Sequence, residues 1–179
     1  PETRPTRDIL YAKGILMGKD TLHVFVVHAP SRRGGEAASR PYRLQVASQL
    51  SQAVDSIYSF NNDAKIIVTG DFNDYSDSPA LLFLEHHQLV NISQDAHGRN
   101  GAKGTYRYHG EWRSLDQILL SESMQHPENA CRIGDLPFLL EDDEKYGGKK
   151  PYRTYLGPRY LGGYSDHLPL VARIRIDDK

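Results

Sequence analysis

Six polar residues stand where chemistry is possible: His28, Asp71, Asn73, Asp116, Asp166 and His167. Asp71 and Asn73 are two apart, and in an extended or turning backbone that spacing points both side chains to one side, so one attacking water or one phosphate can meet both. A carboxylate supplies a base or a metal ligand; an amide holds an oxygen without changing charge. Asp166-His167 sets a hard oxygen ligand beside an imidazole whose ordinary pKa of about 6.5 lets it donate or share a proton at neutral pH. Asp116 lies in the otherwise apolar run Leu115-Asp116-Gln117-Ile118. Burying it alone is costly, so it must pair with a cationic or protic group, or cap a neighbouring loop. Taken singly, each residue has a plain structural reading, since a histidine at a strand end is usually just hydrogen-bonded. Weight comes from their combination and order.

The elements that must position them follow from periodicity. Residues 9–17 and 21–27 are apolar segments around Gly18-Lys19-Asp20, the composition of a β-hairpin, and alternation along the second predicts two covered faces. That strand stops at His28-Ala29-Pro30 and runs into Ser-Arg-Arg-Gly-Gly, a flexible stretch. From Ser39 to Phe60, Leu44, Ala47, Leu50, Val54 and Ile57 recur every three or four residues, with Pro41 near the first helical position, which predicts an amphipathic helix. Lys65 to Thr69 is short, β-branched and apolar, as a buried strand should be, and delivers Gly70-Asp71-Phe72-Asn73-Asp74 at its carboxyl end. Ser78-Pro79 opens a short helix through His87. Strands are predicted at 105–108, 115–120, 130–136 and 167–176, and residues 141–164 read as a long loop rich in Gly, Pro, Lys and Tyr.

Composition excludes several classes. The chain has 179 residues, 39% hydrophobic and 25% charged, which is the range of a folded, soluble single domain. The longest clean apolar runs, Val24 to Val27 and Ile66 to Val68, are far too short to span a bilayer. No export signal is present in residues 1–179; one upstream of Pro1 would be compatible with secretion, so the compartment is open. The single cysteine, Cys131, makes neither an internal disulfide nor a cysteine zinc site and is expected to pack as a small hydrophobe. Twenty-two basic against 23 acidic residues give a net charge of −1, so any affinity for a polyanion must come from a local patch.

Four stretches carry a family likeness: VVHAPSRRGG (Val26 to Gly35), IIVTGDFND (Ile66 to Asp74), GTYRYHGEWRSLDQILLS (Gly104 to Ser121) and GGYSDHLPL (Gly162 to Leu170). In this order, spanning nearly the whole chain, they resemble the endonuclease/exonuclease/phosphatase (DNase I-like) superfamily of divalent-metal phosphoesterases. The resemblance implies an α/β (α+β) fold, a two-sheet sandwich flanked by helices. It implies that His28 and His167 flank the scissile phosphate, that Asp71 orients or deprotonates the attacking water, and that Asn73 binds a phosphate oxygen. Asp116 would fix the ring of His167, and Asp166 would belong to the metal site or its water shell. Mg²⁺ is the implied cofactor, with Mn²⁺ as the alternative, and the implied chemistry is in-line hydrolysis without a covalent intermediate.

The chain departs from that pattern at its start. The family's early strand with an Asn, and the Glu that is its principal metal ligand, have no counterpart: Glu2 precedes the first strand and Glu36 follows the His28 loop. Residues 1–179 therefore read as a single, incomplete domain whose N-terminal strands are missing, with one sheet left open to be covered by the missing segment or by self-association. These 179 residues alone are expected to be inactive.

For the substrate, Arg32 is the leading phosphate contact, beside Arg33, Arg40 and Arg43, of which the helical pair reads equally well as solvated. Tyr106, Tyr108 and Trp112 could stack on a base or ring, although aromatics in strands are usually core. Arg153 and Tyr155, in the loop before Ser165-Asp166-His167, are expected to wall the substrate cleft. Glu141-Asp142-Asp143-Glu144 reads as a solvated acidic turn. The leading function is a phosphodiesterase or nuclease acting on a phosphoester, nucleic acid among the candidates. The alternatives are an inositol-phosphate or lipid head-group phosphatase or phosphodiesterase of the same fold, and a non-catalytic binding module. A calcineurin-like metallophosphoesterase needs an early Asp-x-His and a later Gly-Asn-His, and neither occurs.

Overall fold

The computed structural model describes residues 6–16 and 20–176. In chain order the elements are β1 (Leu10–Leu16), β2 (Asp20–His28), α1 (Glu36–Phe60), β3 (Lys65–Asp71), α2 (Pro79–Glu85), β4 (Leu89–Asn91), β5 (Tyr106–Tyr108), β6 (Glu111–Arg113) and β7 (Asp116–Ser121). They continue as β8 (Ala130–Ile133), β9 (Leu140–Asp142), β10 (Lys149–Pro151), β11 (Tyr155–Leu156), β12 (Arg159–Tyr160) and β13 (Leu170–Arg173). The main sheet has the order β1-β2-β3-β7-β4. Only β2 and β3 run parallel in it; β1 with β2, β3 with β7 and β4 with β7 are antiparallel.

One face of this sheet carries the largest core. Phe25 and Val27 of β2 and Ile66 and Val68 of β3 meet Val46, Ala47, Leu50 and Val54 of α1 and Leu81 and Leu84 of α2. These residues are spaced by two along the strands and by three or four along the helix, which is why the periodicity in the sequence locates them. The opposite face is covered at its β7 end, where Ile118, Leu120 and Met124 pack with Leu22, Ile67, Leu170, Ala172 and Ile174. There the two-stranded β8/β13 sheet is the second layer. The β1/β2 end of that face is bare, with Leu10 and the opposed Val26 63 and 39% exposed. The expectation that both faces of the second strand are covered is corrected: one face is buried under α1, and the other is covered at Leu22 but open at Val26.

Several boundaries shift for local reasons. The hairpin predicted from residues 9–17 and 21–27 forms, with Leu16 opposite Asp20; its turn lies outside the described residues. The first helix begins at Glu36, three residues early, because Gly35 at φ 103° supplies its N-cap, and Pro41 sits inside it. The closing strand is shorter than predicted, Leu170–Arg173 rather than 167–176, because its partner β8 has only four residues. Residues 109–111 do not simply separate two sheet strands: β5 pairs with β6 in its own hairpin, and β7 joins the main sheet alone. The segment 141–164 is built of two small hairpins, β9/β10 and β11/β12. Its acidic run is paired with basic partners, Glu141 with Lys150, Asp142 with Lys149 and Asp143 with Arg107. Among the described residues no helix is long and apolar enough to cross a membrane.

Candidate active site

Strand register assembles the first half of the site. His28 is the Cα partner of Asp71 across the parallel β2/β3 pair, and Asp71 is the partner of Asp116 across the antiparallel β3/β7 pair. Three of the candidate side chains thus occupy one cross-strand row at the rim of the sheet. His28 Nε2 lies 3.3 Å from Asp71 Oδ2. The row requires β2 and β3 to approach closely. Gly70, at φ 137°, makes this possible, since a Cβ there would lie 2.0 Å from the Val27 carbonyl oxygen.

Beyond β3 the chain turns over its own carboxylate. The Asn73 backbone N–H donates to Asp71 Oδ1 at 2.8 Å, and Asn73 adopts φ 50°, a left-handed conformation asparagine tolerates better than most residues. Its Nδ2 donates to the Ala29 carbonyl at 3.0 Å and to Asp71 Oδ2 at 3.3 Å. These bonds fix the amide orientation and leave Oδ1 as the atom available to the cavity. The turn is pinned from beneath by Arg43, whose Nε donates to Asp74 Oδ2 at 2.9 Å with both side chains only 1 and 2% exposed. Arg43 is thus neither solvated nor a substrate contact; it ties α1 to the Asp71–Asp74 turn.

His167 arrives from the far end of the chain. It bridges to Tyr106, Leu168 N–H donates to the Thr105 carbonyl at 2.7 Å, and the His167 N–H donates to Ser165 Oγ at 3.1 Å. Its Nδ1 lies 2.7 Å from Asp116 Oδ2, which also accepts from the Thr105 hydroxyl. The Asp116 carboxylate therefore has the protic partners its apolar strand demands. Burial alone would lower the basicity of His167, but the hydrogen bond and charge of Asp116, with Asp71 and Asp166, outweigh it and raise its pKa above the ordinary histidine value. Asp71 is likewise raised, first by burial and then by the neighbouring Asp116, against the Asn73 N–H and the two histidines.

Asp71, Asp116 and His167 each offer a ligand atom, all within 4.8 Å of one another. With the free Asn73 oxygen, the two carboxylates form an oxygen-rich set that suits a hard divalent cation, and the like-charge contact between the carboxylates is what such a cation would relieve. His167 Nδ1 is already committed to Asp116, so the oxygens are the better donors. Asp166 lines the cavity but is not one of the three clustered groups.

All six residues line one cavity of about 890 Å³, with Arg32, Arg33, Glu36, Tyr75, Tyr106, Tyr108 and Arg113 completing its wall. The Tyr106 ring is tilted against His167, ring centroids 4.9 Å apart and planes 39° from parallel. Trp112, Arg153 and Tyr155 are not among the lining residues. Trp112 alternates with Arg113 on β6, so when Arg113 faces the cavity Trp112 faces away, packing beside Ala102, Ile133 and Leu168 under the Arg107 guanidinium, 5.5 Å from its ring centroid. Tyr155 sits on the β11/β12 hairpin, against Tyr160 at 5.3 Å, and Arg153 precedes that hairpin. Tyr75 and Arg113 are lining residues that sequence reasoning did not single out. Tyr75 carried a signal in directly following the Gly70–Asp74 motif; Arg113 carried none.

Comparison with known proteins bears on the fold. The structure is similar to a beta toxin of Staphylococcus aureus (TM-score 0.60, 18% identity, 93% of this chain and 57% of that one). It is also similar to truncated TDP2 of Caenorhabditis elegans (0.58, 15%, 93% and 59%) and to sphingomyelinase C of Streptomyces griseocarneus (0.55, 19%, 92% and 56%). A further beta toxin structure, with bound magnesium ions, is similar at TM-score 0.57 and 18% identity, over 90% of this chain and 56% of that one. At these identities the likeness is one of fold, a mixed α+β DNase I-like architecture, and the chain spans 56–59% of the length of these structures. Among curated protein sequences, none matches. Residues 2–176 match the profile of the Endonuclease/Exonuclease/phosphatase family, and the chain belongs to that family.

Proposed function

We propose that the protein containing this chain is a divalent-metal-dependent phosphoester hydrolase, of phosphodiesterase or nuclease type, that attacks with water. The observation that supports this most directly is the cross-strand row of His28, Asp71 and Asp116 closed by His167, whose Nδ1 is 2.7 Å from Asp116. Asp71, raised in pKa by burial and by Asp116, is the group suited to orient a water and accept its proton. Asn73 holds a phosphoryl oxygen or the cation through its free amide oxygen. Asp116 fixes the tautomer of His167, placing a proton on Nδ1 and turning Nε2 to the cavity, and its charge keeps the ring protonated to higher pH. His167 can then donate from Nε2 to a non-bridging or leaving oxygen as charge develops there, with His28 across the row as the second imidazole facing that oxygen. Mg²⁺, held by Asp71 and Asn73 oxygens with Asp116 and Asp166 nearby, would polarise the phosphoryl group and offset its growing charge.

The test is turnover of plasmid DNA, RNA, a bis-aryl phosphodiester and an aryl phosphomonoester by the full-length protein, with and without Mg²⁺. Metal-dependent hydrolysis of at least one is expected, falling by about 10²- to 10⁴-fold in His167→Ala and Asp71→Ala while the fold stays near wild type. No metal-dependent turnover of any ester, or near-normal turnover by either variant, refutes the assignment.

A further inference from the structure

The cavity is far larger than one phosphoryl group, which occupies only a few times the volume of a water at about 30 Å³; its volume is about 890 Å³. Its lining carries both signs of charge, Asp71, Asp116 and Asp166 with Arg32, Arg33 and Arg113, of which Arg32 and Arg113 meet Tyr75. Arg32 lies over the Tyr75 ring, its guanidinium carbon 4.6 Å from the centroid, and its donors make no hydrogen bond among the described residues.

The acids that would ordinarily absorb such a charge are committed elsewhere. Glu36 accepts from Arg40 at 2.9 and 2.7 Å and from Arg43 at 3.3 Å, and Asp74 accepts from Arg43 at 2.9 Å. Tyr75 is itself braced, because Arg113 Nη1 donates to its hydroxyl at 2.7 Å. Arg113 Nη2 goes to Glu111 at 2.9 Å, and its Nε is buried without a partner. The arrangement is a held ring that presents one unpaired guanidinium, with a second arginine beside it in sequence, to the same cavity as the acidic row.

We propose that Arg32, supported by Tyr75 and Arg113, forms a second-anion subsite, which receives a further phosphate of the substrate while the scissile phosphoryl group sits at the His28–Asp71–Asp116 row. This rests on the phosphoester reading of the row. A guanidinium fork matches two phosphate oxygens at once and stays charged at every working pH, which a lysine in this place would do less selectively. The shared chemistry is a second phosphate on one molecule, supplied either by the neighbouring linkage of a nucleic-acid strand or by a second ester on a small polyphosphorylated compound. A cationic head group is repelled by these arginines.

Two measurements test this. In the first, the full-length protein is titrated with inorganic phosphate in the presence of a chelator, followed by NMR of the arginine Nε–H resonances. Saturable binding is expected, weakened about tenfold by Arg32→Gln and also weakened by Tyr75→Ala, both variants keeping the wild-type melting midpoint. Unchanged affinity in Arg32→Gln overturns the subsite, as does absence of binding to the wild type. In the second, kcat/KM is compared for a thymidine dinucleotide with and without a 5′-phosphate, and for an inositol bisphosphate against a monophosphate. One pair is expected to favour the doubly charged member about tenfold, with the ratio collapsing toward unity in Arg32→Gln, and the pair that responds identifies the source. Ratios near unity for both pairs in the wild type overturn the proposal. If no phosphoester is turned over, the hydrolase reading fails, and the phosphate titration alone still decides whether the subsite exists.

Discussion

Replacing Asp74 by Ala should unpin the turn that carries Asp71 and Asn73. The carboxylate is 2% exposed and its partner Arg43 1%, so the change leaves a desolvated guanidinium without its nearest counter-charge. Breaking a buried pair from one side costs about 3–5 kcal/mol. Arg43 would keep its contacts to Ser39 Oγ at 2.7 Å and Glu36 at 3.3 Å, which places the expected loss at the low end, about 3 kcal/mol. For a chain of this size that corresponds to a fall of about 6–12 °C in melting midpoint. The assay is urea unfolding followed by far-ultraviolet circular dichroism, with Arg43→Met/Asp74→Leu as the companion. Removing both charges leaves nothing stranded, because Ser39 Oγ also donates to the Gly35 and Glu36 carbonyls, and Glu36 retains Arg40. The double variant should recover to within about 1 kcal/mol of wild type. An Asp74→Ala protein within about 1 kcal/mol of wild type, or a double variant no better than the single, would refute the account of a desolvated pin.

Three further outcomes are expected. In Asp116→Asn, the His167 imidazole loses its hydrogen-bonded carboxylate while burial remains, so its NMR-measured pKa should fall below the wild-type value; an unmoved titration would refute the pairing. Tyr58 donates to the Gln88 carbonyl at 3.1 Å, and burial, aided by Glu122 and Asp55, pushes its pKa up to about 12. Because the folded value exceeds the unfolded one of about 10, its contribution is intact below pH 10 and is lost as pH rises toward 12, on the order of 1–2 kcal/mol. Comparing unfolding of the wild type and Tyr58→Phe across that window should show the difference, and parallel curves would refute it. Gly70→Ala drives a Cβ to 2.0 Å from the Val27 carbonyl at a φ of 137°, and should cost more than about 4 kcal/mol or abolish folding, read as soluble yield and melting midpoint; a near-wild-type midpoint would contradict the required approach of β2 and β3.

What could be read from the sequence was what depends on near neighbours. The 3.6-residue spacing of Ala47, Leu50 and Val54 marks the buried face of α1, and the same spacing extends backward to Ser39 and Arg43, so the burial of Arg43 was available to a stricter use of the pattern. His28 and Asp71 were found because polar residues ending apolar strands are conspicuous. Their partnership with Asp116 was not, since it depends on the register of strands 45 positions apart. Thr105 and Arg113 reach the site through contacts between distant segments that no local rule reports. Trp112 was misassigned because a three-residue strand offers too little alternation to tell inside from outside.

The cross-strand row has a consequence for how such a site can change over time. Groups seated on adjacent strands inherit their separation from the ladder itself, about 4.5–5.5 Å between opposed residues, so no loop needs to hold them in place. Slipping one strand by a single residue would turn its functional side chain to the opposite face and take the hydrophobic alternation with it, so the spacing is guarded by the same forces that guard the core. Segments such as Ser31 to Gly35 and the β5/β6 hairpin lie outside that lattice. They are free to diverge in sequence, while the His28–Asp71–Asp116 row stays where the sheet puts it.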